Sequence, residues 1–550
     1  MSAFTDNFDR RVIPRWRDTT TASDDTMTPL RPRQNVADFA NDILRISSEL
    51  ESDPSPAVAV DALNVALLTQ DKTLEKAALA ILNSTAGLPP AVLRLTKPGS
   101  SSDSAQAFST EEATGNQSET GIRNIRRLLQ QYPKNPLLFL DLARHHAILG
   151  HDEKARLAAI TALALAPAHR LVLRSVARYF INAGQEDEAH RVLVRAPATK
   201  QDPWLIAAEL AVAQETKRSP RFWREGKSML ESRAHLPANL SELASAVGTW
   251  EVLEGNQKKA RKHFDLALIA PTENALAQAK WAEKRTPGTF NMDQWLGQLP
   301  CAHEAMFMQA YQQNDLHTAA RHAALWYYAE PFSANAAMTA SYVCSLLDDH
   351  DTVLAMTRTA LVSHPDNGCL ENNMIFALIS SGHFFEQGEG AVMQSIKSVT
   401  RRLLNQISAK DGDTAHAAAN LGLLAYRCGH LEEGRAAYDY AIKWSRDRKE
   451  PFPSANAALF HAREAILANA PWAEAVMLQA KESCSKVQSA GLTFYMEKLQ
   501  ALAKAPEKAA DILCPNSGKV SVSSKPVAIP KFEVRKGTDG LLTLILPKKN

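Results

Sequence analysis

The residues best suited to chemistry in this chain are few and poorly grouped. The run Leu347 to Asp351, LDDHD, sets three carboxylates around His350, the donor types a divalent cation prefers. It also falls between two helical patterns, where a turn calls for polar residues. His145 and His146 are adjacent, so on a helix they project to different sides and do not close easily on one ion. Cys484 and Cys514 have no neighbouring His or Asp to activate a thiolate nucleophile. The sequence contains no GxxxxGK[ST] phosphate loop, no HExxH and no GxSxG elbow. We therefore expect no catalytic residue, no metal ligand, no cofactor and no small-molecule substrate: a binding protein rather than an enzyme.

Composition sets the bounds for the elements that position these residues. A chain of 550 residues exceeds what one compact core usually holds, which implies several domains or an elongated array. Apolar residues make up 45% and aromatics only 7%, with a lean toward Ala and Leu that favours helices. The net charge of +2 gives no global field toward nucleic acid or membrane. Six scattered cysteines form no CxxC pair, which suits a reducing compartment. The N-terminal stretch lacks an apolar signal core, and no run approaches the roughly 18 apolar residues of a membrane span. The expectation is a cytoplasmic protein with no membrane partner.

The stretch from Leu142, LARHHAILGHDEKARLAAITALALAP, places alanine where a core would normally take leucine. Ala143 and Ala155 are followed 34 residues later by Ala177 and Ala189, and Pro133 to Pro167 and Pro331 to Pro365 keep the same interval. A 34-residue period with paired helices is a repeat signature. It resembles the tetratricopeptide repeat (TPR) family, whose units place small residues where helices A and B cross and often end on proline. The unit from Pro136 matches with Ala143, Ala155, Ala162 and Pro167, and the unit from Arg170 with Ala177, Ala189 and Ala196. Further matches are Gly248, Ala260 and Ala267 around Phe264, and Gly422, Gly434, Tyr438 and Ala441. Small side chains at a crossing let two backbones approach, and each unit completes its core by stacking on the next. The resemblance implies an all-α fold, a TPR-like α-α superhelical solenoid over 121–510, strongest at 136–203 and 300–367. Between Gly368 and the unit near Ala415 lie 47 residues, thirteen more than one period.

Other segments differ in character. Residues 1–34 read as a flexible tail containing FDRRVIPRWR (Phe8 to Arg17), with Trp16 near its end. Three readings stay open: a linear docking peptide, an arginine-rich nucleic-acid contact, or a tail folded back on the chain's own first helices. Residues 35–98 read as divergent helical repeats and 99–120 as a flexible Ser/Thr/acid-rich linker. Residues 511–550 read as a C-terminal tail, in which apolar and polar residues alternate from Lys519 and around Asp539-Gly540, the pattern of a small β-hairpin. Phe532, Val534, Leu542, Leu544 and Leu546 then need cover, from the end of the array or from a partner's sheet.

The TPR resemblance implies a concave groove lined by helix A. Carried onto this chain, the first units supply Asp141, Arg144, Arg174, Arg178 and Asn182, a charge pattern suited to an acidic segment. Arg144 stands where the chaperone-tail clamp of the family has asparagine, so chaperone-tail recognition is not expected. The later units supply Tyr342, Asn372, Asn373, Phe376, Asn420, Tyr426 and Arg427. Asn373 and Asn420 share one unit position and resemble the peptide-binding asparagine ladder in the TPR part of O-linked N-acetylglucosamine transferases. The functional expectation is a non-catalytic scaffold or regulatory subunit that binds a partner protein through this groove and the terminal segments. The alternatives are a nucleic-acid-binding helical repeat and a regulator of a nuclease or toxin.

Overall fold

In the computed structural model the described residues are 16, 36–69, 71–85, 113–513 (apart from 233–234, 284, 287, 289, 297–298, 300 and 383–388), 533–536 and 542–545. The expected tail 1–34, apart from Trp16, and most of the expected linker 99–120 lie outside them. Nearly all the described residues are helical. Three helices come first, α1 (Val36–Ser52), α2 (Pro56–Thr69) and α3 (Lys72–Ser84). They share a small core of Ile46, Leu50, Leu63, Leu74 and Leu82, and the Asp71 carboxylate caps α3.

From Ala113 the chain runs through α4 (Ala113–Gln131), α5 (Pro136–Ile148), α6 (Asp152–Leu165), α7 (Arg170–Asn182), α8 (Glu186–Arg195), α9 (Pro203–Glu215), α10 (Trp223–Ser232), α11 (Pro237–Leu253), α12 (Gln257–Ala267), α13 (Glu273–Ala282) and α14 (Asp293–Leu296). It continues through α15 (His303–Gln312), α16 (Leu316–Ala329), α17 (Ala334–Leu346), α18 (His350–Ser363), α19 (Gly368–Ser380), α20 (Glu389–Ala409), α21 (Thr414–Arg427), α22 (Leu431–Asp447), α23 (Pro451–Leu467), α24 (Ala473–Ser485), α25 (Ala490–Lys504) and α26 (Ala509–Leu513). The expected linker 99–120 is corrected at its end. Residues 113–120 are the first turns of α4, whose Ser118, Ile122 and Ile125 are buried at helical spacing despite the loop-like composition. Part of the surplus between Gly368 and Ala415 is the length of α20, 21 residues against 14 in α18.

Local chemistry explains why the helices pair. Gly150, Gly184, Gly255, Gly382 and Gly429 hold positive φ between the two helices of a pair, and Asn314, Asp348 and Asn469 do the same in other pairs. The interval from 150 to 184, from 314 to 348 and from 348 to 382 is 34 residues. The residue after the turn then donates back to the last helical turn: the His151 N–H bonds the His146 carbonyl, Gln185 bonds the Phe180 carbonyl and Asp349 bonds the Cys344 carbonyl. Starts are fixed as firmly. Asn135 and Asp202 cap helices that open on proline, and Asp315, Ser333, Asp349, Asn367 and Ser489 cap α16 to α19 and α25.

The crossings hold the small residues. Ala143, Ala155, Ala177 and Ala189 have no accessible surface. A Cβ on Gly422 would meet Tyr438 at 2.6 Å, and one on Gly434 would meet Tyr426 at 2.5 Å. Two glycines and two tyrosines thus interlock α21 with α22.

The first helix of each pair also touches the first helix of the next, in unbroken rows from α5 to α15 and from α17 to α25. Two contacts then skip along the chain. Helix α18 lies against α5, and α25 returns to α15 and α17. The second row therefore closes on itself, with α25 against its beginning. Outside the helices, Glu533–Lys536 (β1) and Leu542–Ile545 (β2) pair antiparallel, Val534 opposite Leu544, and β1 runs beside α22. No helix among the described residues is long and apolar enough to cross a membrane.

Candidate functional site

Most of the residues expected to line a groove are buried in the fold, and many of their polar groups bond to this chain. Asn373 donates to the Ser341 hydroxyl at 2.9 Å, and Asn420 donates to the carbonyl and side-chain oxygens of Asn372 at 3.0 and 3.2 Å. The amides form a ladder, with helices α17, α19 and α21 as its uprights. Tyr342 is buried 6.3 Å from Phe452, and Phe376 packs between His350 and Phe460. The Tyr426 hydroxyl accepts from Trp472 and bonds the His461 ring.

Below this ladder sits a buried ionic cluster. Arg427 grips Glu464 with two nitrogens, at 2.7 and 3.2 Å, and Arg463 donates to the same carboxylate at 2.6 Å. Arg463 also reaches Ser380, Tyr495 and Asp348 at 3.2 to 3.4 Å, and Lys498 bonds Asp348 from α25. Asp348 is the left-handed turn residue of LDDHD. Its partners Arg463 and Lys498 are 115 and 150 residues away, so the cluster ties α25 into the closed row. Burial alone would raise the Glu464 pKa, but Arg427 and Arg463 hold it below the usual value. Burial, then Arg463, Arg427 and Lys498, lower His350 to about 3, so it is neutral at physiological pH. Removing one member of such a cluster leaves a buried charge uncompensated, at a cost of roughly 3–5 kcal/mol. Among the described residues no group of three or more His, Cys, Asp or Glu has the arrangement to hold a metal ion.

The three arginines of the first units are also engaged. Arg144 donates to the Ala329 carbonyl at 3.0 Å and Arg178 to the Ser333 hydroxyl at 3.3 Å. Both guanidinium groups stand over the Phe332 ring. Arg174 lies over Trp204 at 4.7 Å and 3.6 Å from Glu242. Asp141 is buried and Asn182 half-buried.

Beside this contact is a seat for Trp16. Its side chain has no accessible surface, with its ring 5.0 Å from that of Phe332 and edge-on to Tyr179 at 6.1 Å. Trp16 thus contacts its own chain, though on α7 and the turn before α17 rather than on the first helices, and the rest of FDRRVIPRWR lies outside the described residues. His364 bonds the Phe332 carbonyl at 2.7 Å and Ser363 donates to the Ile148 carbonyl, which fixes the seat from a third side. Repeat pairs far apart in the chain, with Arg144 and its Ala329 partner separated by 185 residues, thus build one pocket around an aromatic from the tail. Phe532 lies outside the described residues, while Val534 and Leu544 are backbone partners across β1 and β2.

Compared with protein-family models and with curated proteins, the chain matches none.

One exposed feature was not anticipated from the sequence. Gln214, Lys217, Arg218, Ser219, Pro220, Trp223, Trp250 and Glu254 line an open cleft of about 540 Å³ between the end of α9, α10 and α11. The indoles are 5.9 Å apart at 50° and only half-buried. Glu254 accepts from the Trp250 N–H at 2.8 Å, and Lys227 stands 4.5 Å over Trp223. The available signal was KRSPRFWREGK (217–227), five basic residues around one tryptophan.

Proposed function

We propose that this chain is a non-catalytic scaffold of the TPR type, an α-α superhelical solenoid with a C-terminal β-hairpin, and that its partner is another protein. The observation that carries the reading is the Trp16 seat, where two distant repeats already receive a side chain from outside the array. An aromatic-bearing segment of a partner fits the same seat once Trp16 leaves it. The amide ladder and ionic cluster then serve to hold the repeats in register rather than to touch the partner, because they are buried and bond chiefly to one another. Five free cysteines among the described residues suit a reducing compartment such as the cytoplasm.

The test uses the tail as its own probe. A chain lacking residues 1–34 should bind a labelled FDRRVIPRWR peptide in fluorescence anisotropy, and the full chain should bind it far less. Burying a tryptophan is worth several kcal/mol, so the Trp16→Ala peptide should bind roughly 100-fold more weakly. Equal binding to both chains, or none to the truncated one, would refute the seat as a recognition site.

A further inference from the structure

We propose that the open cleft between α10 and α11 binds single-stranded nucleic acid, with bases on Trp223 and Trp250 and phosphates on the surrounding lysines and arginines. This cleft shares no residue with the Trp16 seat. Two features coincide at this cleft. The first is a pair of half-exposed indoles held in fixed orientation, Trp250 by Glu254 and Trp223 by its place on α10 beside Lys227. At 50° they do not stack on each other, and each offers ring surface to a flat ligand.

The second is charge. Residues 214–227 and 250–262 together hold nine basic and four acidic residues, a surplus of five in a chain whose total is +2. The four acids are already engaged within the chain. Glu251 pairs with Lys227 at 3.0 Å, Glu225 stands 3.8 Å from Lys200, and Glu254 accepts from Trp250. Arg218 is paired with Asp187, whereas Lys217 lines the cleft exposed. Arg221 and Arg224, on either side of Phe222 and Trp223 in the chain, and Lys258, Lys259 and Lys262 on α12 are exposed as well. Aromatic platforms inside a cationic track are what unpaired bases and their backbone require. A duplex keeps its bases stacked inside and gains nothing from the indoles. An acidic peptide satisfies the charge but leaves the paired rings without a role.

The experiment titrates the full chain against a labelled twelve-nucleotide oligo-dT strand by fluorescence anisotropy. With about four phosphates neutralised, the slope of log K against log salt is about −2.8, so affinity falls roughly 50-fold from 50 to 200 mM KCl. The Arg221→Glu, Arg224→Glu double variant changes two exposed positions and should flatten that slope by about 1.4. Trp250→Ala should weaken binding about 5- to 100-fold with the slope retained. If Trp250→Ala does not fold, the charge-reversal variant decides. Absence of binding, unchanged binding in the charge-reversed chain, or preference for duplex or for a labelled polyglutamate peptide would each overturn the proposal.

Discussion

Acid should loosen this protein well above the range in which its carboxylates titrate. Burial is the leading cause that lowers His350, His416 and His461 each to about 3. In the unfolded chain a histidine takes up its proton near pH 6.5. Between those values the unfolded state binds more protons than the folded one, so stability rises with pH and is lost as pH falls. From pH 7 to pH 5 each residue contributes a loss of about 2 kcal/mol, one and a half units at 1.36 kcal/mol each. Three give about 6 kcal/mol, comparable with the whole stability of many domains. Glu464 does not enter this window. Its folded pKa lies below 4.5, so its contribution is complete above that value and is lost only as pH falls through the depressed one. Urea unfolding followed by helical circular dichroism at pH 7, 6 and 5 measures the effect. Replacing His350 with glutamine should reduce the pH 7-to-5 loss by about 2 kcal/mol, whatever it does at pH 7. Equal urea midpoints at pH 7 and pH 5 would refute the reasoning.

Two substitutions probe the packing. Gly434→Ala places a methyl group against Tyr426 and near the Gly422 carbonyl, so α21 and α22 must part; we expect a loss of roughly 1–3 kcal/mol in thermal or urea unfolding. Asn420→Ala removes the donor to both Asn372 oxygens and should cost about 1–3 kcal/mol, while peptide affinity at the Trp16 seat stays unchanged.

The helix pairs were legible because their determinants are local. Alanines and glycines at the crossings, capping residues and left-handed turn residues act within one or two units, so a 34-residue period exposes them. The destination of the lining residues was not legible. Asn373 and Asn420 do share a unit position, yet their partners, Ser341 and Asn372, are on neighbouring helices of the same chain. Asp348 reads correctly as a turn residue, but nothing near it in sequence announces Arg463 or Lys498. A period describes what each unit does to the next and is silent about contacts that skip several units. The aromatic cleft was missed for a related reason: Trp223 and Trp250 belong to two helices and meet only through their packing.

The seat of Trp16 also has a bearing on synthesis. Tyr179 is made early, but Phe332 follows Trp16 by 316 residues. At about 5–20 residues per second, roughly 15 to 60 seconds pass before the ring that completes the pocket exists. Throughout that interval the indole has no finished place to go, and a protein waiting at the ribosome would meet it before the chain itself does.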